Sequence, residues 1–136
     1  MRTIKFRGKD IETGEWIYGS LIQRLGYMPS IMYPYESNGK VRYSECAVKR
    51  ETVGQFTGLM DKNGTEIYEG DILKWSNGRS YVVKFWEGMF YASVEECNDG
   101  FLGGFPLHAL TDYEDRRCEI VGNIFDNPEL LKEVKK

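Results

Sequence analysis

Side chains that could act as nucleophiles or acid–base groups are few in this chain. His108 is the single histidine, and Cys46, Cys97 and Cys118 lie far apart in the sequence. Nucleophilic catalysis needs a base beside the nucleophile, and no spacing here brings His108 to a cysteine. The cysteines also lack the close pairs typical of structural zinc or of a disulfide framework. We therefore expect free thiols, no catalytic residue and no metal site.

Two acidic segments and one glycine-rich segment could suggest a ligand. Residues 112–115 carry three carboxylates, and Asp61-x-Asn63-Gly64-x-Glu66 is a fragment of a calcium loop. A calcium loop needs further ligands at fixed positions, which this fragment lacks. Residues 100–104 lack the lysine and hydroxyl side chains of a phosphate-binding loop. These patterns favour a solvated loop, a turn and a connection, with no cofactor.

A basic ridge is the pattern that could carry a binding function. Lys5, Arg7 and Lys9 alternate along a predicted strand, on the face opposite Phe6. Because a strand rises about 3.3 Å per residue, these cations lie about 6.6 Å apart, close to the phosphate spacing of an extended single strand. Two interpretations stay open. The ridge is either a single-stranded nucleic-acid surface or the ordinary solvent face of a strand.

A second group in the later half of the chain has the same two interpretations. Lys84 and Trp86 share one face of a predicted strand, so a cation and a stacking platform could lie together, as in single-strand binders. Alternatively, Trp86 belongs to the core or to an interface. With the ridge, this makes Lys5, Arg7, Lys9, Lys84 and Trp86 the candidate nucleic-acid-binding residues.

The elements that must position these residues are mainly strands. Aromatic residues form 14% of the chain and Gly occurs 15 times, which favours pleated sheets broken by turns. Period-two alternation predicts a hairpin over residues 3–22. Residues 26–46 predict two short strands joined by an Asn38-Gly39 turn. These strands form an N-terminal β subdomain over about residues 1–50.

The second half, residues 51–125, predicts a small, partly open β-barrel of the SH3-like kind. Gly70-Asp71 predicts a sharp turn into a strand, because glycine accepts a positive φ and aspartate bonds nearby amides. Turns at Asn77-Gly78 and Glu87-Gly88 then predict a three-stranded meander over residues 72–94. A short turn or helix follows near residues 107–113, and a final strand near residues 119–125.

The tail over residues 127–136 predicts a short helix. Asn127 is suited to capping it, with Pro128 at its first position. Leu130, Leu131 and Val134 would dock one face of this helix on the rest of the chain.

Size and charge limit the classes of function. A chain of 136 residues is the size of one domain, and its net charge of -3 argues against a dedicated nucleic-acid binder. No segment approaches the about 20 apolar residues of a membrane span, so no membrane partner is expected. Unpaired cysteines and the absence of a secretory leader predict a reducing cytoplasm.

Four segments of the chain resemble the YopX proteins of bacteriophages and prophages, namely residues 4–10, 16–19, 52–73 and 120–131. The resemblance spans nearly the whole chain and implies a single YopX-like domain of phage origin, in a family without an established reaction. We expect a non-enzymatic accessory protein that acts through protein contacts, as a homo-oligomer or with another phage or host protein. A single-stranded nucleic-acid-binding module is the alternative, and an uncharacterised enzyme is the third.

Overall fold

The computed structural model describes residues 1–76, 78–94, 104–111 and 118–134. The chain divides into two compact units, Met1–Phe56 and Thr57–Lys136. Its strands form two antiparallel sheets, one of six strands in the order β4-β3-β2-β1-β5-β6 and one of five in the order β10-β9-β8-β7-β11. The prediction of a mainly β fold is confirmed.

The elements in chain order are β1 (Phe6–Lys9), β2 (Trp16–Ile22), β3 (Ser30–Ser37), β4 (Lys40–Ala47), a 3-10 turn (Arg50–Thr52), β5 (Gly54–Met60), β6 (Glu66–Tyr68), β7 (Asp71–Trp75), β8 (Ser80–Trp86), β9 (Met89–Val94), β10 (Gly104–Pro106), α1 (His108–Thr111), β11 (Cys118–Asn123) and α2 (Glu129–Val134). No helix in these described parts of the chain is long and apolar enough to span a membrane.

The first unit begins with the predicted hairpin, in which β1 pairs antiparallel with β2 from Phe6↔Gly19 to Lys9↔Trp16. The core of this unit lies against the β1 face that carries Gly8. Ile31 and Val48 are both fully buried, and a Cβ on Gly8 would lie 2.9 Å from the Val48 Cβ. Glycine at this position therefore lets Val48 pack directly on the strand backbone.

The predicted second hairpin, β3–β4, is also present. Its strands pair over eight residues each, from Ser30↔Ala47 to Ser37↔Lys40. Asn38 and Gly39 have φ values of 53° and 75°, which are typical of a two-residue type I′ turn. The predicted Asn38-Gly39 turn is confirmed, and β4 is an edge strand of the six-stranded sheet.

The second unit contains the predicted meander of β7, β8 and β9, with a left-handed turn at Glu87 (φ 47°) and Gly88 (φ 81°). Apolar residues of this unit pack into one core, which contains Ile67, Leu73, Tyr81, Val83, Ala92, Leu107 and Cys118. The strand order leaves β10 and β11 at opposite edges, so the described strands form an open sheet and not a closed barrel.

Gly70 makes the predicted sharp turn into β7. Its φ is 89°, and its N–H donates to the Val83 carbonyl at 2.9 Å. The next residue, Asp71, accepts the N–H of Tyr68 on Oδ2 at 2.8 Å. A left-handed glycine and an amide-binding carboxylate therefore turn the chain together.

The predicted tail helix is α2, and it is linked to β11 by Asn127. The Asn127 Oδ1 accepts the backbone N–H of Asn123 at 3.2 Å. Leu130 and Leu131 are half-buried, whereas the side chain of Val134 lies outside the described residues. Four further features of the predictions also lie outside them: Asn77, Cys97, the glycine-rich segment up to residue 103 and the acidic segment 112–115.

Candidate functional site

The cysteines and the histidine occupy separate elements. His108 is the exposed first residue of α1, Cys46 lies on β4 in the first unit, and Cys118 is the buried first residue of β11 in the second. Both of these cysteines are free thiols. Within the described residues, no group of three or more histidine, cysteine, aspartate or glutamate side chains could hold a metal ion.

Cys46 forms a specific polar contact. Its Sγ donates a hydrogen bond to Asp10 Oδ2 at 3.0 Å, while Asp10 Oδ1 accepts the N–H of Glu12 at 2.8 Å. The hydrogen bond to Asp10, together with burial and the negative charge of the carboxylate, raises the pKa of Cys46 to about 11. The same hydrogen bond is the main cause of the lowered pKa of Asp10. Because the thiolate is the reactive form, Cys46 is a poor nucleophile at neutral pH.

The carboxylate of Asp61 binds backbone N–H groups of its own turn and of β11. It is 1% exposed, and its Oδ1 accepts the N–H groups of Asn63 and Thr65, both at 2.9 Å. Its Oδ2 accepts the N–H of Ile120 at 3.0 Å. Burial, and secondarily the charge of Asp61, raise the pKa of the Cys118 thiol. Both carboxylate oxygens therefore serve backbone amides, as expected for a structural turn.

The basic ridge differs from the sequence prediction at its centre. Arg7 was predicted on a solvent face, but it is only 5% exposed, while Lys5 and Lys9 are half-buried. The reason is an aromatic neighbour on β2: the Arg7 guanidinium carbon lies 4.5 Å from the centre of the Trp16 ring. A planar guanidinium stacks well on an indole, so Trp16 covers Arg7.

The two lysines of the ridge also lie over aromatic rings. Lys9 Nζ is 5.4 Å from the Trp16 ring centre, and Lys5 Nζ is 5.7 Å from that of Phe56. The alternation of the strand places all three cations on one face, as predicted. Trp16 was not among the predicted binding residues. The predicted hairpin over residues 3–22 already placed it on the strand beside the ridge, so the sequence could have indicated this contact.

The second predicted group lies on β8. Lys84 is half-buried opposite Tyr91, and Trp86 is 42% exposed opposite Met89. Residues two apart on a strand share a face, so the predicted pairing of a cation with an aromatic platform agrees with the strand geometry. This group belongs to the second unit, and the ridge belongs to the first.

The surface that sequence reasoning missed is the outer edge of β4, residues 41–45, which we call the β4 edge. Val41 is 61% exposed and Tyr43 is 66% exposed, and Tyr35 on the neighbouring β3 is 45% exposed. No other described strand pairs with this edge. The sequence over residues 40–47 indicates a strand, because no glycine or proline interrupts it. It does not indicate that this strand lies at the edge of a sheet, since that depends on how the other strands pair.

A shallow cavity of about 360 Å³ lies beside the loop between β2 and β3. It is lined by Arg24, Leu25, Gly26, Tyr27, Met28 and Arg50. Arg24 makes a bidentate pair with Glu45 at 2.6 and 3.0 Å, and Arg50 Nη2 donates to the Tyr27 carbonyl at 3.3 Å. Both guanidinium groups therefore bind protein groups that fix the conformation of the loop between β2 and β3.

Comparison with known proteins agrees with the resemblance noted in the sequence. The family model described as YopX protein matches residues 5–132. Among solved structures, the chain is similar to the crystal structure of protein EF1440 from Enterococcus faecalis. The two are 26% identical, the TM-score is 0.60, and the match covers 96% of this chain and 99% of that one. A search of curated proteins gives no significant match.

Proposed function

We propose that this chain, which belongs to the YopX family, is a non-enzymatic accessory protein of a phage or prophage that acts through protein contacts in the bacterial cytoplasm, as a homo-oligomer. The β4 edge is the observation that carries the proposal. Exposed Val41 and Tyr43 lie on a long edge strand that no other described strand covers. Such an edge is a template for pairing with another chain. A phage or host protein could bind the same kind of surface.

The chemistry of the described side chains supports a non-enzymatic role. Cys46 is held as a thiol by Asp10, Cys118 is buried, and Asp61 binds backbone amides. None of these groups combines an exposed nucleophile with a nearby base, which is the usual requirement for covalent catalysis.

The mass in solution tests the proposal. Light scattering coupled to size exclusion, over a wide range of protein concentrations, should give a mass above the 15.8 kDa of one chain. A single chain's mass at every concentration would contradict the homo-oligomer. The strand order β10-β9-β8-β7-β11 is also compatible with the finer proposal that the second half is a partly open SH3-like barrel.

A single-stranded nucleic-acid-binding module is the second candidate, and the position of the Arg7 and Lys9 cations over the Trp16 ring favours it. On the second unit, Lys84 and Trp86 form a separate candidate group of one cation and one platform. Cations beside aromatic rings are the usual means of gripping a single strand. The net charge of -3 opposes this function, because the chain must overcome its own field to hold a polyanion.

The salt dependence of binding tests this second candidate. Contacts of Lys5 and Lys9 to about two phosphates of a single strand should give a slope of about -1.4 in log affinity against log salt. Because Arg7 is buried, the cleaner change is Lys5→Gln with Lys9→Gln, which should flatten the slope. Lys62→Gln with Lys74→Gln is a matched control of equal charge in the second unit. Affinity that is absent, or equally changed in both variants, would exclude the ridge.

A further inference from the structure

We infer that β4 pairs with β4 of a second copy of this chain, antiparallel and centred on Tyr43, so that two six-stranded sheets join edge to edge. The inference rests on the proposed homo-oligomer and specifies its interface. Four observations carry it: the direction of the backbone groups, the limits of the edge, the available registers and the facing side chains.

The two-residue turn determines which backbone groups point outward. In a type I′ hairpin, the residues that flank the turn exchange hydrogen bonds, so Ser37 and Lys40 form such a pair. Alternation then directs the N–H and C=O groups of Val41, Tyr43 and Glu45 away from β3. Ala47 has the same parity, and its carbonyl accepts the N–H of Ile11 at 3.0 Å from outside the hairpin.

That contact also limits the length of the edge. Ile11 N–H occupies the Ala47 carbonyl, and an isolated bridge joins Asp10 to Val48. At the other end, the chain turns at Asn38 and Gly39. Within the described part of the chain, residues 41–45 of β4 are therefore the segment open to an incoming strand, which favours a short and symmetric contact.

Facing residues of a symmetric antiparallel register must both point outward or both point inward, and three such registers place more than one facing pair within residues 41–45. Centring on Arg42 sets two guanidinium groups directly opposite each other, which is unfavourable. Centring on Ser44 sets Val41 against Ala47, whose carbonyl is already occupied by Ile11. Centring on Tyr43 avoids both problems and uses all three outward residues.

The side chains agree with the Tyr43 register. Pro34 lies beside Tyr43 on β3, so the symmetric row Pro34–Tyr43–Tyr43–Pro34 is continuous and apolar on one face. Val41 faces Glu45 of the second copy, whose carboxylate is held by its own Arg24. On the other face of the sheet, Arg42 faces Ser44 of the second copy, so this register sets no like charges directly opposite each other.

Cysteine cross-linking tests the register directly. In a background carrying Cys46→Ser and Cys97→Ser, Tyr43→Cys should form a disulfide-linked dimer under mild oxidation, since facing hydrogen-bonded residues have Cα atoms about 5.5 Å apart. Val41→Cys is the matched control and should not form this disulfide. Val41 is about as exposed as Tyr43, but in this register it lies about 13 Å along the strand from Val41 of the second copy. A mixture of Val41→Cys with Glu45→Cys chains should cross-link as a heterodimer.

A second variant tests the hydrogen bonds without a new thiol. Tyr43→Pro removes an outward N–H that the hairpin does not use, so the fold should persist while the dimer is lost. Tyr43→Thr keeps this N–H and should retain more of the dimer. Folding of each variant is checked by circular dichroism and its mass by light scattering.

The outcomes separate the two proposals. An oligomer that survives Tyr43→Pro, or that cross-links through Val41→Cys and not Tyr43→Cys, would overturn this interface and leave the proposed function standing. A chain that is monomeric and does not cross-link at any concentration would overturn both the β4–β4 interface and the proposed homo-oligomer. Pairing of the β4 edge with a strand of another protein, in place of a second copy, would have the same consequence.

Discussion

The carboxylate of Asp61 accepts the backbone N–H of Ile120 at 3.0 Å, although the two residues are 59 positions apart in the sequence. The neighbouring Lys62 N–H donates to the Cys118 carbonyl at 2.9 Å. These bonds link the turn between β5 and β6 to the start of β11. Asp61 therefore stabilises the tertiary structure of the second unit as well as its own turn.

Replacing Asp61 by alanine should destabilise the protein by about 3 kcal/mol or more, because three backbone donors lose a charged and buried acceptor. Urea titration measures the loss. Asn63→Ala, an exposed change in the same turn, is the control and should cost much less. A free energy of unfolding within about 1 kcal/mol of the parent would show that water replaces these bonds.

Gly70→Val should destabilise by more than about 1 kcal/mol, because a β-branched residue is strained at the φ of 89° that Gly70 adopts. A valine introduced at the exposed position 74 of β7 is the control. Lys74→Val should have little effect there, since strands accept β-branched side chains. Equal stability of the two variants in urea would show that the backbone relaxes at position 70.

Cys46 should react slowly with iodoacetamide, and its reactivity should depend on Asp10. The pKa of Cys46 is raised from 9.0 to about 11, so the thiolate fraction at pH 8 should fall about a hundredfold. Asp10→Ala should speed alkylation of Cys46, as measured by mass spectrometry. An unchanged rate would show that burial alone protects the thiol.

The same shift predicts how stability changes in alkali. Because the folded pKa of Cys46 lies above the unfolded value, its contribution to stability is complete below pH 9 and is lost as the pH rises toward about 11. Cys46→Ser should reduce this alkaline loss of stability. Urea midpoints of parent and variant that fall in parallel between pH 8 and about 11 would contradict the assignment.

Gly122→Ala should loosen the tail helix. A Cβ at position 122 would lie 2.5 Å from Asn127 Oδ1, the atom that accepts the Asn123 N–H. Displacing Asn127 should speed amide exchange in residues 129–131 while the core strand β8 stays protected, because a helix this short depends on docking. Tail exchange that is equally fast in the parent would show that α2 is frayed without the substitution.

Local turns could be predicted from the sequence because their conformational preferences are local. Asn38-Gly39 and Gly70 need a positive φ, which glycine and asparagine accept most readily, and the structure confirms both. Strand alternation likewise placed Lys5, Arg7 and Lys9 on one face. The four matching segments also indicated the family, which the match over residues 5–132 confirms.

The environment of those same residues was decided only by the tertiary structure. Alternation identifies the face to which Arg7 points, but its burial depends on Trp16 from a neighbouring strand. The partner of Asp61 lies 59 residues away, and the edge position of β4 depends on the pairing order of the whole sheet. Each of these features arises from contacts between distant parts of the chain, whereas sequence periodicity reports only the geometry of one strand at a time.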